Sequence, residues 1–113
     1  MRTRYYLSIP DSSALDDAGP YAFRSRGAEG IASELRAALR EDGLFQRWRA
    51  AQDDPDAVDP ALGETDPDAV VHGEQSDLQL DLVATTGLSG TVFKQRMRLL
   101  AGGHWRLHDV KSA

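Results

Sequence analysis

The sequence predicts an α+β fold: an antiparallel sheet of four or five strands packed on one long amphipathic helix, in the order β-(β)-α-α-β-β-β. Three observations carry that prediction. Apolar and polar residues alternate through 78–110, the pattern of strands with one buried face. Between 28 and 41 the apolar spacing lengthens to i, i+3, i+4, i+7, which is a helical stripe. Short glycine-containing loops join the C-terminal segments, as antiparallel neighbours require, and a sheet apolar on one side needs a layer across it.

Residues 3–9 are the first expected strand, with Tyr5, Leu7 and Ile9 on one face and Tyr6 and Ser8 on the other. Pro10 stops it, since proline has no N–H for a ladder. Residues 11–20 read as a polar turn region. Residues 21–26 are either a short returning strand, with Tyr21 and Phe23 as its apolar face, or loop. The helix at 28–41 turns Ile31, Leu35, Ala38 and Leu39 to the sheet and Glu29, Glu34, Arg36, Arg40 and Glu41 to water, and Gly43 is its expected C-terminal stop. Leu44, Phe45, Trp48 and Ala51 keep a helical spacing, so a second short helix or a kinked continuation runs to Gln52.

Three strands are expected after that. Leu78, Leu80, Leu82 and Ala84 line the first; Phe93, Met97 and Leu99 line the second, alternating with Lys94, Arg96 and Arg98; Trp105 and Leu107 line the third. Pairing Thr86 with Thr91 brings Ala84 to Phe93, Leu80 to Met97 and Leu78 to Leu99, and sets Asp81 beside Arg96 on the other face. A three-residue loop or a bulge is expected near 102–104, because a two-residue turn would oppose Leu107 to Arg98. Phe45, Trp48, Phe93 and Trp105 are the expected core aromatics between helix and sheet.

The whole chain, 1–113, reads as a single domain with an acidic, proline-rich loop at 52–70. The net charge of −5 belongs to that loop: 52–68 holds seven acids and no base, and the rest of the chain has 11 acids against 13 bases. The pentapeptide Asp-Pro-Asp-Ala-Val occurs there twice, at 54–58 and 66–70. There is no cysteine, which excludes disulfides, thiolate metal sites and cysteine nucleophiles. The first residues contain neither a signal peptide nor a membrane span, so a cytoplasmic location is expected. Eleven arginines against two lysines, with no asparagine, suggest the codon bias of a GC-rich bacterial genome.

No motif fixes a chemistry. His104 and His108 have an i, i+4 spacing, but on a strand that is about 13 Å, too far for two ligands on one ion. The Asp-x-Asp pairs of the acidic loop have valine where a calcium loop needs its third ligand. Gly87-Leu88-Ser89-Gly90 lacks the spacing of a nucleophile elbow, and Glu29 stands where a phosphate loop would be uncharged or basic. Neither a metal nor a cofactor is implied. Lys94, Arg96, Arg98, Arg106 and His108 are expected to line the wet face of the sheet as a basic stripe. Without interleaved aromatics to stack bases, nucleic acid is disfavoured as its partner, and a protein partner or a second copy of the chain is favoured.

The run Arg98-Leu-Leu-Ala-Gly-Gly-His-Trp105-Arg-Leu-His-Asp109-Val110 resembles the last hairpin of the cystatin-like and nuclear transport factor-like α+β cones. The resemblance covers about residues 98–110 and implies a curved sheet wrapped on a helix; it carries over no catalytic residue. The chain departs from the nuclear transport factor group by opening with a strand. The function expected from these observations is protein interaction or self-association without catalysis, through the basic sheet face or the acidic loop. The alternative is a small-ligand binder or enzyme with a pocket between helix and sheet, into which Gln95 and Asp109 would point.

Overall fold

The structure is a computed structural model that describes residues 2–77 and 79–113. Its elements are β1 (Thr3–Ile9), α1 (Ala28–Arg40), α2 (Gly43–Ala50), β2 (Val70–Ser76), β3 (Gln79–Thr86), α3 (Gly90–Ala101) and β4 (Arg106–Ser112), with 3-10 turns at Ser12–Asp17, Pro55–Ala57 and Pro60–Gly63. The strands form one antiparallel sheet in the order β2-β3-β1-β4, so the expected α+β class and sheet are present. β1 and β2 are parallel to each other with β3 between them, and β3 and β4 are parallel with β1 between them. Two βαβ units are thereby interlocked, the split arrangement of ferredoxin-like folds.

Strand β1 is central, and its inner face is buried from Tyr5 to Ile9. Tyr5, Leu7 and Ile9 are buried beside Leu80, Leu82 and Ala84 of β3. Helix α1 covers this layer with Ile31, Ala32, Leu35, Ala38 and Leu39, all buried. It approaches closely at Gly73 of β2, where an added Cβ would stand 2.6 Å from the Ala28 carbonyl oxygen. A side chain there would push the helix off the sheet.

The expected strand at 93–99 is instead helix α3. Ser89 starts it, its hydroxyl accepting from the Val92 N–H, and Gly102, at φ +59, ends it. Val92, Phe93, Met97, Leu100 and Ala101 are buried along it, a spacing of three and four that no strand could bury on one side. The Phe93 ring stacks on Tyr5, centroids 4.1 Å apart and planes within 6°. Rather than one long helix there are two of similar length, α1 with 13 residues and α3 with 12. The hairpin implied by the resemblance at 98–110 is absent as well, since 98–101 are helical and β4 pairs with β1.

One open alternative is decided and smaller expectations are corrected. Residues 21–26 form no strand: Phe23 drops into the core and its N–H donates to the Leu100 carbonyl at 2.8 Å. Glu41, not Gly43, ends α1, and Gly43 opens α2. Strand β2 begins at the last residue of the expected loop and runs through a stretch where no strand is expected; only Val71 is buried, so its apolar signal is one residue. Phe93 is in the core as expected; Phe45 is buried outside it, beside Trp48 and Gly63, and Trp48 and Trp105 are half-buried. The expected pairing of Leu78 with Leu99 cannot hold, because Leu99 is in α3, and Leu78 itself lies outside the described residues.

The acidic segment is folded onto the body by its backbone. Three of the last carbonyls of α1 have partners: Ala37 accepts from the Glu41 N–H, Ala38 from Arg96, and Leu39 from the Asp66 N–H at 2.8 Å. A helix end would otherwise leave these groups unsatisfied. Asp66 in turn receives the Thr86 hydroxyl at 2.8 Å, the Gly87 N–H at 2.9 Å and Arg2 at 3.3 Å.

Candidate interaction face

The layer order leaves one side of the sheet uncovered. Helices α1 and α3 lie on the face of Tyr5, Leu7 and Ile9, and every second residue of each strand points to the other side. The registers arrange those residues in three rows running from β2 to β4. One is Val70, Thr85, Arg4, Lys111. The next is His72, Val83, Tyr6, Asp109. The last is Glu74, Asp81, Ser8, Arg106.

The centre of this face is Tyr6 beside Val83, both half-buried by their neighbours. The Lys111 ammonium lies 5.4 Å above the Tyr6 ring and 3.7 Å from the Asp109 carboxylate. A cation over an aromatic face is attracted by its π-electrons, which draws the exposed Lys111 side chain toward the sheet. Val70, at 39 % exposure, is the most open apolar side chain of the face.

Among the described residues of the open face, Ser8 alone is fully covered, at 1 % exposure. A bulge in β4 between its pairings with Tyr6 and Leu7 inserts His108, whose Nε2 lies 2.6 Å from the Ser8 hydroxyl oxygen. A serine on a histidine is the first half of a nucleophile arrangement. Here the ring seals the hydroxyl from solvent, and the described hydrogen bonds put no carboxylate on the other ring nitrogen. The pair closes the bulge. Sequence reasoning placed Ser8 and His108 on outward faces but had no means to join strands at opposite ends of the chain.

The residues expected to form a basic stripe are divided among three surroundings. Arg106 and His108 are exposed on β4, at the open face. Lys94 and Arg98 are exposed on α3, in the helix layer. Arg96 is fully buried, its guanidinium donating to the carbonyls of Ala38 at 2.7 Å, Leu62 at 2.9 Å and Glu64 at 2.6 Å. The stripe fails as a unit because a helix spreads residues 94, 96 and 98 around its axis, whereas a strand would align them. Burial pushes the Arg96 guanidinium below its ordinary value, and the nearby Asp42 carboxylate opposes that shift.

Gln95 and Asp109 are not brought together either. Gln95 is buried on α3 with its Oε1 unpartnered, and Asp109 is exposed on the far side of the sheet. A concavity of about 930 Å³ lies instead between the 20–25 loop, α1 and the start of α2, lined by Arg24 and Arg47 as well as Glu34, Glu41 and Asp42. Among the described residues no group of three or more histidine, aspartate or glutamate side chains could hold a metal ion. None of their helices is long and apolar enough to cross a membrane.

Two carboxylates have pKa values below the ordinary range. For Asp66, burial pushes the carboxyl up, but the Gly87 N–H, the Thr86 hydroxyl, the Asp68 N–H and the Arg2 charge together outweigh it. For Asp11 the cause is the Ser13 hydroxyl and N–H, both bonded to the carboxylate. Both groups serve turns and anchors of the fold. The Tyr5 phenol is raised by its burial.

Compared with protein-family models, with curated proteins and with solved structures, the chain matches none. The geometry of the open face therefore carries the functional reading.

Proposed function

We propose that this chain is a non-catalytic protein-interaction domain whose working surface is the open face of the sheet. The observation that supports this most is the make-up of that face. An aromatic and two valines, Tyr6, Val83 and Val70, sit among charges of both signs, with basic residues toward β4 and acids toward the β2–β3 turn. An uncovered sheet face of four strands, with an apolar centre and a charged rim, has the anatomy of a protein–protein contact.

Open four-stranded sheets also bind single-stranded RNA, by stacking bases on aromatics of the two central strands. Here β1 offers Tyr6, but β3 offers Val83 in the facing position. Glu74, Asp81 and Asp109 share the face, and the chain as a whole carries −5. Phosphate binding is driven by cations, so this charge opposes it. The acidic segment is the weaker surface for a partner, because its backbone is already used to hold Arg96 and the end of α1.

The test is site-specific photo-crosslinking in the cell. A photoreactive residue at Val83 is expected to give a protein adduct, and one at Ser33, exposed on α1, is expected to give none. No adduct from Val83, or equal adducts from both positions, would remove the open face as the working surface.

A further inference from the structure

We propose that the partner on this face is a second copy of the same chain, docked sheet to sheet about a two-fold axis parallel to the strands. This rests on the reading of the open face as an interaction surface and names its occupant. Such an axis lies above the middle of the sheet, between β3 and β1, and sets each row upon its own reverse. β2 of one copy then covers β4 of the other.

The three rows are complementary under that operation. Glu74 of one copy meets Arg106 of the second, and His72 meets Asp109. Val83 meets Tyr6, placing the apolar centre of each copy on the other. Asp81 meets the Ser8–His108 pair, Thr85 meets Arg4, and Val70 meets the aliphatic stem of Lys111. No row sets like charges together. The registers that define the rows are those of a single chain, so the match is a property of its own sequence.

The competing two-fold, perpendicular to the strands, fails the same inspection. It would lay the first row on the last, bringing Lys111 onto Arg106, and would set Asp109 on Asp109. Like charges facing each other are costly, and their avoidance is how an interface selects one orientation. Both axes leave the strands of the two sheets nearly aligned, the ordinary packing of two twisted sheets, so the charges alone select between them.

Size determines the strength. Four strands about 4.8 Å apart and seven residues long at about 3.3 Å give a face of roughly 440 Å² per copy. Both copies together bury about 900 Å², below the range of about 1,200–2,000 Å² typical of stable complexes. A contact of that size belongs with weak, transient complexes, so the dimer is expected only at high protein concentration.

The experiment is sedimentation equilibrium on the purified full chain, from about 5 to 500 µM, with charge-swap variants. Wild type should move from 12.4 kDa toward twice that mass as concentration rises. Arg106→Glu and Glu74→Arg should each weaken self-association at least about tenfold, since each creates two like-charged contacts per dimer. An equimolar mixture of the two should recover it, because every contact in the mixed dimer again joins opposite charges. The double variant should self-associate but not pair with wild type. Both positions are exposed, and thermal melting checks each fold; if one variant is lost, Asp109→Lys with His72→Asp repeats the logic. A monomer at 500 µM, single variants that associate like wild type, or a mixture that stays monomeric would each overturn the two-fold. A wild-type monomer that still gives a Val83 adduct with a different protein would overturn the two-fold and leave the interaction face standing.

Discussion

Arg96 is the most informative residue to perturb, because it is a buried charge neutralised by no carboxylate within hydrogen-bonding distance. Its guanidinium is held by three backbone carbonyls, Ala38 on α1 and Leu62 and Glu64 in the acidic segment, while its Nε has no partner. Each bond from a charged donor contributes about 1.5–3 kcal/mol, so the three together contribute roughly 5–9 kcal/mol. Burying the charge costs several kcal/mol in return. Arg96→Met keeps most of the aliphatic volume and leaves three carbonyls without a donor; the expected net loss is about 2–4 kcal/mol. Arg96→Ala adds a cavity to that and should be worse, and Arg96→Lys, with a shorter reach and one nitrogen, should fall between wild type and Met. Urea unfolding reads the difference, and for a chain of this length it corresponds to a fall in melting temperature of about 8–20 °C. Hydrogen exchange adds the local readout: the Asp66 amide, bonded to Leu39, should lose protection first. An Arg96→Met protein as stable as wild type would refute the reasoning, since it would mean that desolvation cancels all three bonds.

Asp66 should make stability depend on acid. Its carboxyl is held below the ordinary value, so the folded chain binds fewer protons than the unfolded one; the stability is present above about pH 4 and lost as pH falls through the folded value. Urea midpoints between pH 3 and 7 should fall more steeply for wild type than for Asp66→Asn, which at neutral pH should be about 1–2 kcal/mol less stable; parallel pH profiles would contradict the assignment. Gly73→Ala should cost about 1–3 kcal/mol by thermal melting, because its Cβ would meet the backbone of Ala28 and not a movable side chain. Ser89→Ala should cost about 1 kcal/mol through loss of the α3 cap, with exchange faster at the Val92 amide than elsewhere in the helix.

The α+β class, β1, β3 and the first two helices are legible because each is a local pattern: alternation through Tyr5, Leu7 and Ile9, and a stripe through Ile31, Leu35 and Leu39. Helix α3 is not, and the reason is Arg96. A charge inside the apolar stripe breaks the helical period and leaves Phe93, Met97 and Leu99 alternating with Lys94, Arg96 and Arg98, which reads as a strand. What makes Arg96 tolerable there is the carbonyl end of a helix some sixty residues earlier in the chain, |i−j| being 58 for Ala38. No local window contains that information. The Ser89 cap and the Gly102 stop were the available signals, and together they bracket a helix of α3's length. With α3 misassigned, the predicted basic stripe necessarily dissolved. Arg106 and His108 remain at the open face because 106–112 is a strand, as the alternation with Trp105 and Leu107 predicts, although it pairs with β1 and bulges at His108.

The repeated pentapeptide separates what a short sequence determines from what its surroundings add. In both copies the aspartate carbonyl accepts from the alanine N–H three residues on, Asp54 from Ala57 at 3.1 Å and Asp66 from Ala69 at 3.0 Å. The turn is thus local, set by proline after aspartate. Beyond it the copies diverge. Asp54 and Ala57 are exposed, whereas Asp66 is caught by Arg2, Thr86 and Gly87, Ala69 is buried and Val70 enters the sheet. The second copy delivers β2 to the edge next to β3, and its terminal valine opens the row that ends in Lys111. The same five residues therefore act once as a solvated turn and once as the hinge between the acidic segment and the open face. Asp66, bonded to Thr86, Gly87 and Arg2, ties the entry to β2 to the end of β3 and the start of β1.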